Sequence, residues 1–157
     1  MPKCLLIGDS GIIGSYLKNY LFNFDIISVN SKHADLTDPI QIKKLISRLP
    51  KIDIVIFLVG LAHRKGKKND LDEFEKINYK TSVNFFSYLD ENGKLPDKII
   101  YASTISVYGE QKNINSYDES SSTRPLSPYA RTKLMAEDYI LKNYKNFSWI
   151  LRFAPVY

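Results

Sequence analysis

The chain has 157 residues and a mass of 18.1 kDa, which is enough for one domain with a real core and too short for two. Its 44% hydrophobic and 25% charged content is that of a globular protein, and its one cysteine, Cys4, excludes a framework of internal disulfides. The net charge of +5 suits a phosphate-bearing ligand as well as a nucleic acid, but the one dense basic run, His63-Arg64-Lys65-Gly66-Lys67-Lys68, has no aromatic interleaving. It reads as a solvated loop, so no nucleic-acid partner is expected.

Lys3–Ile7 reads as a short apolar strand, and it follows the N-terminus so closely that no signal peptide is expected. Ile12–Phe22 has helical spacing at Ile13, Leu17 and Leu21. Asp25–Val29 is a second strand. Asp38 followed by Pro39 opens a helix over Pro39–Leu49. Asp53–Val59 is a continuous, β-branched apolar run, as a strand buried on both faces requires. The longest apolar stretch, Ile54–Ala62, is too short to span a bilayer, so the expectation is a cytoplasmic protein with no membrane partner. Leu71–Asn92 reads as a long helix, Lys98–Ser103 as a fourth strand, Ser127–Tyr144 as a helix with Pro128 in its first turn, and Phe147–Phe153 as a fifth strand.

Strands alternating with helices predict an α/β fold: a Rossmann-like parallel sheet with helices on both faces and the strand order 3-2-1-4-5. No repeat divides the chain, so 1–157 is expected to be one dinucleotide-binding domain, with the sheet truncated after the fifth strand.

Gly8-Asp9-Ser10-Gly11-Ile12-Ile13-Gly14 lies between the first strand and the first helix, the setting that makes a glycine-rich turn credible as a dinucleotide site. Gly8 permits a tight turn, Gly11 lets backbone approach a pyrophosphate, and Gly14 lets the helix pack against the strand. Ser10, Ile12 and Ile13 complete that turn. After the second strand, Asn30-Ser31-Lys32 stands where such folds place an acidic ribose ligand. No carboxylate is present there, and Ser31 and Lys32 suit a 2′-phosphate instead. The cofactor is therefore read as NAD or NADP, tilted toward NADP.

Tyr129 and Lys133 stand four apart at the start of a helix and share one face. An ammonium beside a phenol favours phenolate, which suits acid–base chemistry near neutral pH. Ser103 and Thr104 sit at the C-terminal end of the fourth strand, where open α/β sheets bind ligands. Thr104, Tyr129 and Lys133 thus form a candidate catalytic set around a carbinol or ketone.

Together these segments resemble, in order and across the whole chain, the NAD-dependent epimerase/dehydratase branch of the extended short-chain dehydrogenase/reductase superfamily. Gly8–Gly14 is similar to its Gly-x-x-Gly-x-x-Gly turn, and Asp35-Leu36-Thr37-Asp38 to a stretch whose first two residues face adenine. Phe57-Leu58-Val59-Gly60-Leu61-Ala62 resembles its third-strand motif beside the cofactor, and Asn78 its helix asparagine. Ser103–Gly109 resembles Ser-Ser-x-x-Val-Tyr-Gly, which puts Thr104 in the catalytic place. Ser127–Glu137 resembles Ser-Pro-Tyr-x-x-x-Lys-x-x-x-Glu, and Leu151–Tyr157, with Phe153, Pro155 and Val156, the segment at nicotinamide.

The resemblance implies a nucleotide-sugar substrate, proton removal by Tyr129, ribose binding by Lys133, and a role in polysaccharide biosynthesis. It also implies a homodimer through the long helices. Ile105-Ser106 offers no carboxylate, which argues against a dehydratase. An NADPH-dependent sugar-nucleotide reductase and a cofactor-binding module without turnover are the alternatives to an epimerase-like enzyme. The family's substrate-binding C-terminal lobe is therefore expected to be absent, with the enzyme in a truncated form.

Overall fold

The computed structural model describes residues 1–61, 71–110 and 116–156. The basic run at 63–68 and Ala62 lie outside them. Five strands, β1 (Lys3–Ile7), β2 (Asp25–Val29), β3 (Ile54–Phe57), β4 (Lys98–Thr104) and β5 (Ser148–Phe153), form one parallel sheet. The helices are α1 (Ile12–Leu17), α2 (Pro39–Arg48), α3 (Leu71–Phe74), α4 (Thr81–Glu91) and α5 (Pro128–Tyr144). The expected Rossmann-like class is borne out.

The strand order is corrected: it is β2-β1-β3-β4-β5, not 3-2-1-4-5. β3 pairs with β1, with Cys4 opposite Ile54 and Ile7 opposite Phe57. The reason lies in composition. β2 carries Asp25 and Ser28 and is exposed at one end, which suits an edge. β3, Ile-Val-Ile-Phe, is buried over three of its four residues and needs a neighbour on each side. Exchanging the two would put the apolar strand at the rim. The order in which strands are added along the sheet therefore reverses between β1 and β3, and a ligand crevice opens at their C-terminal ends.

Side chains alternate across the sheet and build two unequal cores. Leu5, Ile7, Val55, Phe57, Ile99 and Tyr101 pack toward α2, α4 and α5. Cys4, Leu6 and Ile56 pack on the other face with Leu17, Leu21 and Phe24, on and just after α1. On the larger side, Phe57 meets Phe85, Phe86 and Tyr101 at ring separations of 5.3, 5.4 and 5.9 Å. Such pairs add roughly 0.5–1.5 kcal/mol each beyond area burial, and they fasten α4 beneath the crevice. The smaller side leaves Trp149 and Leu151 of β5 largely exposed.

Local signals set most boundaries. The Asp38 carboxylate accepts from the Ile40 N–H at 2.9 Å and starts α2, with Pro39 in its first turn. Ser127 accepts from Ala130 N–H at 3.1 Å and starts α5 in the same way. At the far end of α2, the Lys94 ammonium donates to the carbonyls of Ile46, Ser47 and Leu49 at 2.9, 3.0 and 2.8 Å. α1 is shorter than expected, because tight turns at Asn19 and Tyr20 close it after Leu17. The long helix expected over Leu71–Asn92 is interrupted: Glu75–Lys80 forms a π-helical turn between α3 and α4. Its wider loop brings the Thr81 hydroxyl and N–H onto the Lys76 carbonyl.

Candidate active site

Two adjoining clefts of about 710 and 310 Å³ run along the C-terminal ends of β1 and β3, sharing Gly8, Gly11, Leu58 and Gly60. Nearly every residue singled out from the sequence lines them. The larger holds Ile12, Ile13, Gly14, Ser103, Thr104, Tyr129, Lys133, Phe153, Pro155 and Val156. The smaller holds Ser10, Asn30, Ser31, Asp35, Leu36 and Val59. Lys32 is exposed and does not line the cleft; its N–H donates to the Asn30 side chain at 3.0 Å. Asn78 lies beneath the cleft wall.

The glycine turn has the shape a pyrophosphate needs. Gly8 adopts φ +90°, and a Cβ there would come within 3.3 Å of the Leu58 carbonyl carbon and the Val59 nitrogen. Gly14 is seated on the turn itself, where a Cβ would lie 2.5 Å from the Gly8 carbonyl oxygen and 2.6 Å from the Asp9 Cα. Gly11 differs: an added Cβ meets only the Gly8 oxygen, at 3.5 Å, and otherwise enters open space on the cleft side. It also opens α1 without a side-chain cap over the first turn.

Asp9 anchors this turn from below. It is buried, pairs with Lys18, and accepts from Asn30 Nδ2 at 2.7 Å. The hydrogen bond from Lys18 holds its carboxyl below the usual range, against the opposing effect of burial. Asn30 Oδ1 takes the Lys32 N–H, so one end of its amide closes the loop and the other ties it to the glycine turn. Asp9 and Lys18 were not singled out from the sequence. An acid inside a glycine turn with a lysine nine residues on was the available signal.

The opposite wall carries the hydroxyl, phenol and ammonium groups of Thr104, Tyr129 and Lys133. Thr104 ends β4; its hydroxyl oxygen accepts the Ser106 N–H at 3.2 Å and lies 3.1 Å from the Ser106 hydroxyl. Tyr129 stands in the first turn of α5, and Lys133 follows one turn later. Lys133 is 3% exposed, with its ammonium 3.5 Å from the Val59 carbonyl oxygen and 4.3 Å from the centre of the Tyr101 ring. Burial pulls it down to about 8, opposed by the nearby Tyr129 and Glu137. Asn78 holds the floor: it accepts from Leu61 N–H at 2.7 Å and donates to the Leu61 carbonyl and the Thr132 hydroxyl. The π-helical turn is what places it there. Ser106 and Ala154, which lie within the expected motifs Ser103–Gly109 and Leu151–Tyr157, also line the larger cleft, as does Ala102 at the end of β4.

The cradle at Gly11, the tight approach of Gly8 to Leu58 and Val59, and a buried ammonium at the cleft fit a dinucleotide laid across the sheet's reversal point. The arrangement can bind a pyrophosphate on one limb and exchange a proton with a hydroxyl on the other.

Comparison with known proteins gives a consistent result. A model of the NAD dependent epimerase/dehydratase family matches residues 4–157. A putative UDP-glucose 4-epimerase of Methanocaldococcus jannaschii is 29% identical over 98% of this chain and 55% of its own length. The solved structure of MoeE5 with UDP-glucose and NAD superposes with a TM-score of 0.83 at 26% identity, covering 99% of this chain and 55% of that one. RMD from Pseudomonas aeruginosa complexed with NADPH gives 0.78 at 26%, covering 96% and 52%. The chain spans about half the length of the curated relatives it matches.

Proposed function

Because the chain belongs to the NAD dependent epimerase/dehydratase family, we propose that it is the cofactor-binding and proton-transferring part of an NAD(P)-dependent nucleotide-sugar oxidoreductase of the epimerase type. The observation that carries this reading is the shared cleft: one wall is the glycine turn, and the other presents Thr104, Tyr129 and Lys133 together. Relatives bound to NAD and to NADPH support either form of the cofactor.

Gly8, Gly11 and the start of α1 would hold the pyrophosphate, Asp35 and Leu36 the adenosine end, and Lys133 the hydroxyls of the nicotinamide ribose. Bound there, the cofactor supplies hydride chemistry. The protein's residues supply placement and proton transfer. The Tyr129 phenolic oxygen takes the proton from a sugar hydroxyl and later returns it. The Thr104 hydroxyl donates to the same sugar oxygen, and the Ser106 N–H holds Thr104 in place for that contact. Phe153, Pro155 and Val156 form an apolar side to the larger cleft.

Elimination of water would need a carboxylic acid next to Thr104. Ile105 and Ser106 occupy those positions, which favours epimerisation or reduction over dehydration.

The first experiment is a fluorescence titration with NADH and, separately, NADPH. Saturable binding of one or both is expected, and the absence of both would refute the reading. Incubation with a UDP-sugar and NAD, and separately with a nucleotide keto-sugar and NADPH, then separates the two chemistries: epimerisation of the first leaves the cofactor's redox state unchanged, whereas reduction of the second consumes NADPH stoichiometrically.

A further inference from the structure

One turn beyond Lys133, on the same inward face of α5, lies a fully buried carboxylate that the proposed chemistry does not use. Glu137 has no exposed surface, and it gathers three elements. Its Oε1 accepts the Ser103 hydroxyl of β4. Arg152 of β5 donates to it through Nε, at 3.2 and 3.1 Å, and through Nη2 at 2.6 Å. Arg152 Nη1 continues to the Tyr108 hydroxyl at 2.8 Å, which donates in turn to the Asp118 carbonyl.

Ser103 of this knot lines the cleft, and so do Thr104, Lys133 and Phe153 beside it. Ser103 lies opposite Arg152 in the parallel ladder, and Thr104 opposite Phe153. Lys133 and Tyr129 precede Glu137 by one and two turns. We propose that Glu137 is a positioning residue: its carboxylate, paired with Arg152, locks the cleft ends of β4 and β5 to α5 and sets the electrostatic surroundings of the Lys133 ammonium one turn earlier on the same helix face.

Stability alone does not explain the pair, because apolar residues of similar volume generally hold a core at least as well as a buried ion pair does. What an apolar pair cannot supply is a field. The groups around the Lys133 ammonium are the Val59 carbonyl and Gly60 after β3, Asn78 on the π-helical turn, the Tyr101 ring on β4, and Tyr129 and Glu137 on α5. Asp138 and Tyr108 border the outer side of the Glu137–Arg152 pair. Burial works against the ammonium, and Glu137 is the carboxylate that works for it. The inference rests on the reading that Lys133 holds the ribose hydroxyls.

The test follows the Lys133 titration by NMR with 13Cε-labelled lysine, the resonance being assigned by its loss in Lys133→Met. The wild-type midpoint is expected at about 8. Glu137→Gln leaves Arg152 uncompensated, and the midpoint should fall by about one unit. Arg152→Gln leaves the carboxylate uncompensated, and the midpoint should rise. The double variant should return toward the wild-type value.

A merely structural role predicts something else. Both single variants would loosen α5, admit water and move Lys133 up toward the ordinary value of about 10.4, and the double variant would lie at least as high; that pattern overturns the proposal. If Glu137→Gln does not fold, Arg152→Gln and the double variant still decide, by whether the second substitution reverses the first. The measurement needs no cofactor. A protein that binds neither NADH nor NADPH refutes the proposed function, while the opposite-signed shifts still report on Glu137. Where the cofactor binds, the alkaline limb of its affinity should move with the Lys133 midpoint in each variant.

Discussion

Gly14→Ala and Gly11→Ala are the same chemical change three residues apart, and the structure assigns them opposite consequences. A methyl on Gly14 would lie 2.5, 2.6 and 3.0 Å from the Gly8 oxygen, the Asp9 Cα and the Asp9 carbonyl carbon. All three are backbone atoms of the turn, and none can swing aside as the end of a side chain can. Ordinary carbon contacts begin near 3.5 Å, so α1 must lift by roughly an ångström. That shift pulls Leu17 and Leu21 from the small cluster around Cys4, Leu6 and Ile56. Overpacking of this kind costs about 1–3 kcal/mol, and alanine's better helix propensity returns up to about 1 kcal/mol. The net loss is therefore roughly 1–2 kcal/mol, or about 3–6 °C in Tm for a domain of this size.

At Gly11 the backbone is extended, with φ −76° and ψ 170°, and the methyl meets a single atom at 3.5 Å. Loss of a glycine cap changes stability by only about 1 kcal/mol or less. The methyl does occupy the space a pyrophosphate would fill, so NADH or NADPH affinity should drop about tenfold or more, the equivalent of about 1.4 kcal/mol. Thermal melts by circular dichroism and cofactor titrations on both variants separate the two effects. A Gly14→Ala protein that melts at or above the wild-type temperature would refute the packing argument. A Gly11→Ala protein with unchanged cofactor affinity would refute the assignment of the cradle.

Cofactor affinity should be flat at neutral pH and decline as pH rises through about 8, where Lys133 loses its proton. The stability contribution of Lys133 has the opposite sign: its folded value lies below the unfolded one of about 10.4, so it rises with pH between the two; isothermal titrations and denaturant melts across this range check both. Tyr129→Phe removes the proton-carrying oxygen and should abolish turnover of a nucleotide sugar while changing NADH or NADPH affinity less than about threefold, under 1 kcal/mol. Lys32→Glu should leave NADH binding nearly unchanged, because Lys32 does not line the cleft; a selective loss of NADPH affinity would show that its side chain reaches a 2′-phosphate. Lys94→Met deletes the ammonium from three carbonyls at the end of α2 and should cost about 1–2 kcal/mol in a denaturant melt, with cofactor affinity unaltered.

Much of the site was legible because its signals are local. Gly8, Gly11 and Gly14 specify a turn within seven residues. Asp38-Pro39 and Ser127-Pro128 mark helix starts by chemistry that acts over a single turn. Tyr129 and Lys133 share a face because four residues is about one turn. Ser103 and Thr104 end an apolar strand, and strand ends of one kind gather at one rim of a parallel sheet.

The number and direction of the strands, the glycine cradle and the tyrosine–lysine pair could be read along the chain, because each follows from residues within a turn or two of one another. Packing between elements set the position of β3 beside β1, the π-helical turn that seats Asn78 against Leu61 and Thr132, and the Asp9–Lys18–Asn30 and Ser103–Glu137–Arg152 clusters. Each of these depends on packing or pairing between separate elements, and right-handed crossovers permit more than one strand order. Burial settles the choice: β3 is too apolar for an edge, and once it stands beside β1 and β4, the ends of β4, β5 and α5 meet, and a carboxylate and an arginine fifteen residues apart become one buried pair.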